Sequence, residues 1–379
     1  MNQEQKDVAV QKPAEKTLRV ALIASQHTLH EYALFLQHLL TGLADESIPV
    51  ALICPDGHDI DSLIYGPVEV VTYPAVDLLF FGAYNRNRLL DQLARFRPTL
   101  LHCLCESRAE LTRQVADRLE LPYVLMVTSL QAGWRHLGIS SAHCTKIMVP
   151  AKSIKDSFCK SYLHFAERVE QINIGSFAEE TTSCFSKPSV LPSMVATDSL
   201  DHAAEFEDFF SAIRHLKIEG YEFMLVVMGS GRAERELRKL LTALDLAETV
   251  TLVPMLRSWR FILAAGDVFI QPRPAKAFNP LLLEAMSAGS AVAACKGGVD
   301  DLILEDRTAV VFDPDDELSI RAGLQKLFDR QEFARQLAKH AQDYVREHHS
   351  VSNMVSAILQ NYRQAQQMVP LAKQYSHPA

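Results

Sequence analysis

The residues best suited to chemistry gather in the second half of the chain, at the ends of strand-like runs. Residues 223–228 (FMLVVM) run into Gly229-Ser230-Gly231, and residues 291–294 lead through Cys295 and Lys296 to Gly297-Gly298. Between them, Arg273 and Lys276 lie on a short loop after the apolar run 268–271, and that loop enters a helix beginning near Asn279. The start of a helix offers unpaired N–H groups and the positive end of a dipole, which suits a phosphate or diphosphate. Asn279 and Pro280 have the residue types of a cap and a first helical position, with Leu281 completing the turn. Glu284 adds a carboxylate that can accept from two hydroxyls. Glycines let a ligand approach the backbone closely. A solvated Glu on a core helix and a plain strand-to-helix turn are the competing readings for Glu284 and for Gly229 and Gly231. Arg273 and Lys276 either contact a phosphate or point to solvent.

The first half carries weaker candidates. His27 and His30 follow the opening run 18–24 (LRVALIA), where one of them could handle a proton. His102 stands near the end of the run 100–104, a strand terminus that would face a cleft; a hydrogen-bonded structural His is the rival reading. Trp134, in Trp134-Arg135-His136, could offer a flat face to a sugar or pack in a core. His348-His349 reads as an exposed helix end. The chain shows no Ser-His-Asp spacing, no P-loop and no metal-binding motif.

Alternating elements must position these residues. Strand signals fall at 18–24, 50–54, 68–71, 100–104, 123–127, 146–149 and 169–174, with helical periodicity between them, as over 29–43 and 108–119. A looser Ser-, Thr- and Glu-rich stretch follows, and the alternation then restarts and runs to a helical C-terminal region. The spacing predicts an α/β chain with two doubly wound, Rossmann-like domains facing across a cleft. Its expected parts are a disordered tail 1–16, a first domain 17–178, a linker 179–191, a second domain 192–345, a helix 346–367 crossing back, and a tail 368–379.

Composition narrows the function classes. The 379 residues carry 38 Lys plus Arg against 46 Asp plus Glu, a net charge of −8. That balance argues against a nucleic-acid partner held by a basic face. Seven scattered Cys without a C-x-x-C pair read as reduced thiols of a cytoplasmic protein. No apolar run approaches the roughly 20 residues of a membrane span, which leaves peripheral membrane contact open.

Taken in order, Gly229-Ser230-Gly231, the segment 264–270 (AAGDVFI), Arg273 to Pro280, Leu283-Glu284-Ala285-Met286, Gly289 and Gly297-Gly298 resemble the nucleotide-sugar half of retaining glycosyltransferases of family 4, on the two-domain scaffold called GT-B. The resemblance is clear over about 223–327 and looser before it. It implies sugar transfer with retention from a UDP- or GDP-sugar, used as substrate, to a glycan, lipid-linked or other acceptor, with neither cofactor nor metal. It places the donor on Glu284, Asn279, Pro280, Leu281, Gly297, Gly298, Gly229 and Gly231, and the acceptor beside Trp134, His27 and His102.

The chain departs from the family pattern at four places. Lys276 stands where the family has a Glu, and Thr128 where a His commonly follows the strand. Ser25-Gln26-His27-Thr28 replaces a Gly-rich turn. Residues 195–202 hold Asp198 and Asp201 where an Arg and a Lys are usual. Each lost cation near a leaving diphosphate removes on the order of 10²–10³ in rate, by analogy with lost oxyanion donors. A second expectation therefore stands beside the enzyme. It is a catalytically inactive relative that binds or assists a partner such as another glycosyltransferase.

Overall fold

A computed structural model describes residues 17–57, 60, 66–73, 82–130, 137–186, 190–254 and 259–374. Two parallel sheets organise them. The first contains β1 (Val20–Ile23), β2 (Val50–Pro55), β3 (Val68–Tyr73), β4 (Leu100–Cys103), β5 (Tyr123–Met126), β6 (Cys144–Val149) and β7 (Val169–Gln171), in the order β3-β2-β1-β4-β5-β6-β7. The second contains β8 (Ser193–Thr197), β9 (Met224–Met228), β10 (Val250–Val253), β11 (Val268–Gln271), β12 (Ala291–Cys295) and β13 (Val310–Phe312), in the order β10-β9-β8-β11-β12-β13. A parallel sheet is covered on both faces, so its central strands need continuous apolar runs. The fully buried VALI of β1 and AVAAC of β12 supply them.

Strand order reverses between β1 and β4 in one sheet and between β8 and β11 in the other. At such a reversal the loops leaving the two strands diverge and open a crevice beyond their carboxyl ends. The segments that follow β1, β4, β8 and β11 carry His27, Glu106, Asp198 and Arg273.

The helix expected over 29–43 is instead two: α1 (Gln26–His30) and α2 (Ala33–Asp45). Ser25 starts α1 with a capping box, in which its hydroxyl accepts from Thr28 N–H and the Thr28 hydroxyl accepts from Ser25 N–H. The break places Tyr32 where its hydroxyl reaches the second domain. Helices α3 (Gly82–Phe96), α4 (Ala109–Leu119) and α5 (Lys152–Ser161) complete the first domain. The second holds α6 (Glu207–Ile218), α7 (Glu234–Ala243), α8 (Trp259–Ala265), α9 (Pro280–Ala288), α10 (Glu317–Asp329) and α11 (Gln331–His348).

Helix α12 (Val351–Gln374) returns to the first domain and packs on α2 and β4–β6. It sits so close to α2 that a Cβ on Gly42 would lie 2.5 Å from Val355 Cγ1. One apolar core runs from the first sheet through α12 to α9 and one face of the second sheet; a separate core fills the opposite face, under α6, α7 and α10. Alternate residues of β11 divide between them: Phe269 joins the first core, Val268 and Ile270 the second.

All seven cysteines are free, and all but the half-buried Cys159 are buried. Among the described residues no helix is long and apolar enough to cross a membrane.

Candidate functional site

The wall of the crevice formed by the second domain is built around Arg273. Its Nε donates to Asp198 Oδ2 at 2.7 Å and its Nη2 to Asp198 Oδ1 at 2.8 Å. Nη2 also donates to Ser199 O at 3.1 Å, Nη1 pairs with the Glu205 carboxylate, and the guanidinium lies 5.0 Å from the Phe206 ring centre. All three guanidinium nitrogens thus have protein acceptors. Asp198, standing where the sequence comparison expects a cation, takes up the positive charge that a phosphate would need.

The glycines on this wall serve close packing of backbone on backbone. A Cβ on Gly229 would lie 2.0 Å from Asp198 O, and one on Gly231 would lie 2.1 Å from Leu200 C. Gly297 and Gly298 have φ of +113° and +67°, and a Cβ on Gly298 would lie 2.1 Å from Ala275 O. This glycine turn therefore fixes the loop that carries Lys276. At the start of α9, Asn279 Oδ1 accepts from Leu281 N at 3.1 Å and from Leu282 N at 3.2 Å. Leu283 N donates to Asn279 O, and Pro280 has no N–H. The helix keeps its dipole, but these first-turn donors already have acceptors. Glu284 lies half-buried on the second turn.

The opposite wall depends on Glu106, just after β4. Its Oε1 accepts from Thr128 N at 2.6 Å, Ser129 N at 2.8 Å and Ser129 Oγ at 3.0 Å, while Oε2 lies 3.2 Å from Thr128 Oγ1. The strand-like segment so held joins the second domain. Phe278 N donates to Thr128 O at 2.9 Å, and Leu130 N to Lys276 O at 2.6 Å. Tyr32 Oη adds a 2.8 Å bond to Phe278 O. Burial pushes the Tyr32 phenol far above its ordinary value, so it remains a neutral donor. A third link is Asp301, whose Oδ1 accepts from Lys152 N at 2.6 Å and whose Oδ2 accepts from Ser153 Oγ at 2.5 Å. It caps α5, which lacks a capping side chain of its own.

The sequence-derived candidates separate on this frame. Lys276 is exposed on the bridging loop, beside Asn279, Pro280 and Leu281. His27 follows β1, pairs with Glu31 (Nδ1–Oε1 3.0 Å) and stacks obliquely on Tyr32. The Glu31 hydrogen bond raises its pKa above the usual histidine value against the opposing effect of burial. His102 lies away from the crevice. It is wholly buried under α12, with Nδ1 2.6 Å from Tyr362 Oη, and desolvation lowers its pKa to about 3. Trp134 lies outside the described residues. His349 is buried rather than exposed: its Nδ1 sits 2.8 Å from Ile174 O, which draws it inward where α11 gives way to α12.

Sequence reasoning passed over Glu106, Tyr32 and Asp301. Only Glu106 had a local signal, a carboxylate just beyond the carboxyl end of a buried strand. No described group of three or more His, Cys, Asp or Glu could hold a metal ion.

Residues 191–344 match the family model for glycosyl transferases group 1. The fold is GT-B. Over 90% of this chain and 98% of the other, it superposes on an Anabaena HepE structure in complex with UDP-glucose, with a TM-score of 0.75 at 12% identity. A sucrose-phosphate synthase from Thermosynechococcus elongatus aligns over 92% and 98%, with a TM-score of 0.74 at 16% identity. A glycosyltransferase from Rickettsia africae covers 93% and 100%, with a TM-score of 0.73 at 11% identity. In sequence, 126 residues are 32% identical to the sulfoquinovosyl transferase SQD2 of Arabidopsis thaliana; the match covers 32% of this chain and spans about a quarter (24%) of that relative.

Proposed function

We propose that this protein transfers a sugar, with retention, from a nucleotide-sugar to a glycan, lipid-linked or other acceptor at the cytoplasmic side of the cell. The observation that carries the reading is the placement of the loop 273–278. It belongs to the domain matching the group 1 family, begins at that domain's strand-order reversal, and bonds to the first domain through Lys276 O and Phe278 N. A donor beside it would meet Glu284 with its ribose. Its diphosphate would meet the positive end of α9, near Asn279, Pro280 and Leu281. Lys276 would then offset charge on the leaving group. Gly229, Gly231, Gly297 and Gly298 shape the surrounding loops, and the acceptor enters from the side of His27. The donor is a UDP- or GDP-sugar acting as substrate, and the reading assigns no cofactor or metal. HepE has been seen with UDP-glucose bound, which supports a donor of this class.

One observation favours a second reading, an inactive relative that assists another glycosyltransferase. Arg273 is consumed by Asp198 and Glu205, and the α9 donors described above are consumed by Asn279. Calorimetry with UDP, GDP and their sugars, followed by assay of nucleotide release, separates the two. The enzyme reading expects binding and turnover. Absence of both at millimolar nucleotide selects the helper.

A further inference from the structure

We propose that His27, oriented by Glu31, is the general base that takes the proton from the acceptor hydroxyl; this rests on the transferase reading above. His27 stands at the carboxyl edge of the first sheet, in α1, which follows β1 beside the reversal between β1 and β4. Its Nδ1 is held by Glu31 at 3.0 Å, and its side chain is 44% exposed. An imidazole tethered at one nitrogen and presented at the other is the arrangement a positioned base requires.

The pair is also tied to the donor side. The His27 ring lies 5.4 Å from the ring of Tyr32, and the hydroxyl of that same Tyr32 bonds to Phe278 O on the bridging loop. From the neighbouring element, the Glu106 carboxylate adds negative charge that favours the imidazolium. Charged and titratable groups around the ring are therefore Glu31 on its own helix boundary, Glu106 after β4, and the neutral Tyr32 phenol. Two carboxylates make the ring a stronger base.

The step balances as follows. The acceptor oxygen bonds to the anomeric carbon on the face from which the diphosphate departs, so that configuration is retained, while its proton passes to His27 Nε2. The bond from the anomeric carbon to the phosphate oxygen breaks, and its electron pair leaves with the nucleoside diphosphate. The imidazolium then returns its proton to solvent. Water can serve as the acceptor in the same step, so the assay needs no identified acceptor.

The test measures release of UDP from UDP-glucose, and of GDP from GDP-mannose, between pH 5.5 and 9 in the intact chain. The unaltered protein should lose activity as pH falls through a value above 6.5, because the protonated ring cannot accept. Glu31→Gln should move that acid limb to lower pH. His27→Gln should cut kcat by about 10²–10⁴ and leave UDP affinity unchanged. A purely structural role would not move the limb. If turnover occurs but both variants keep the original rate and limb, the inference falls and the transferase reading stands. If the unaltered chain neither binds nor turns over either donor, both fall.

Discussion

The guanidinium of Arg273 lies edge-on against the Asp198 carboxylate, in a two-point contact of 2.7 and 2.8 Å. Both residues leave the strands that flank the order reversal, β11 and β8, so the pair sits where the fold directs a ligand. Both side chains are about one-fifth exposed, which shields the contact from much of the screening met by surface pairs. An anion bound here must compete with two carboxylates for one cation.

Neutralising those carboxylates should release the Arg. The double variant Asp198→Asn, Glu205→Gln is expected to bind UDP at least about tenfold more tightly than the unaltered protein, or about 1.4 kcal/mol. The gain should shrink with added salt, because it is electrostatic. Calorimetry at two ionic strengths checks it. Equal affinities for the two proteins would show that Arg273 never meets the phosphates.

Glu106 organises the other wall. Removing its carboxylate by Glu106→Ala leaves the N–H groups of Thr128 and Ser129 without their acceptor. A buried donor left unpaired costs about 1–3 kcal/mol. Urea unfolding should show a loss of that size or somewhat more. Amide exchange should quicken at Thr128, Ser129 and Leu130 before it does in β5. Uniform exchange across β5 and this segment would mean that the clamp is not local.

The two sheets were legible because buried parallel strands need unbroken apolar runs, and runs such as 123–127 and 223–228 admit few other placements. Lys276, Asn279 and Glu284 were legible as a group because they share one loop and the helix it enters. The contacts that join the walls were not. Tyr32 and Phe278 are 246 positions apart, and their bond uses a backbone carbonyl, which has no residue type to read. His102 misled because strand β4 ends one residue later; its position along the strand suggested the crevice, whereas its side chain turns to α12. The loss of cations near 195–202 was visible, but not that Asp198 would engage Arg273, since that pairing exists only once β8 and β11 lie side by side.

Buried histidines set the acid limit of the fold. Desolvation lowers the pKa of His102 to about 3 and moves that of His349 downward as well. In the unfolded chain both take up a proton near pH 6.5, whereas the folded chain resists. Their contribution to stability is therefore complete above pH 6.5 and is lost as pH falls, down to about 3 for His102. His102→Gln keeps a polar partner for Tyr362 but removes this titration. It should flatten the dependence of the urea midpoint on pH between 6.5 and 4 by up to one proton, or about 1.4 kcal/mol per pH unit. A slope identical to that of the unaltered chain would assign the acid sensitivity elsewhere.

Asp301 gives the two domains a joint that can be measured by itself. Its carboxylate belongs to the second domain, yet it caps α5 of the first through Lys152 N and the Ser153 hydroxyl. Helix α5 has Ala151 at its cap position, so no local side chain can replace the contact. Asp301→Ala should cost about 1–2 kcal/mol, the usual value of a lost cap. Ser153→Ala should cost less, because Lys152 N keeps its acceptor. The double variant should fall short of the sum by about 0.5–1 kcal/mol, at most the cost of Ser153→Ala itself, as expected for two groups in direct contact. The same Asp301→Ala change should broaden the distribution of distances between spin labels on exposed residues of α7 and α4. Strict additivity would mean that Asp301 and Ser153 do not act as one contact, and coupling with an unchanged distance distribution would mean that the carboxylate caps the helix without holding the domains together.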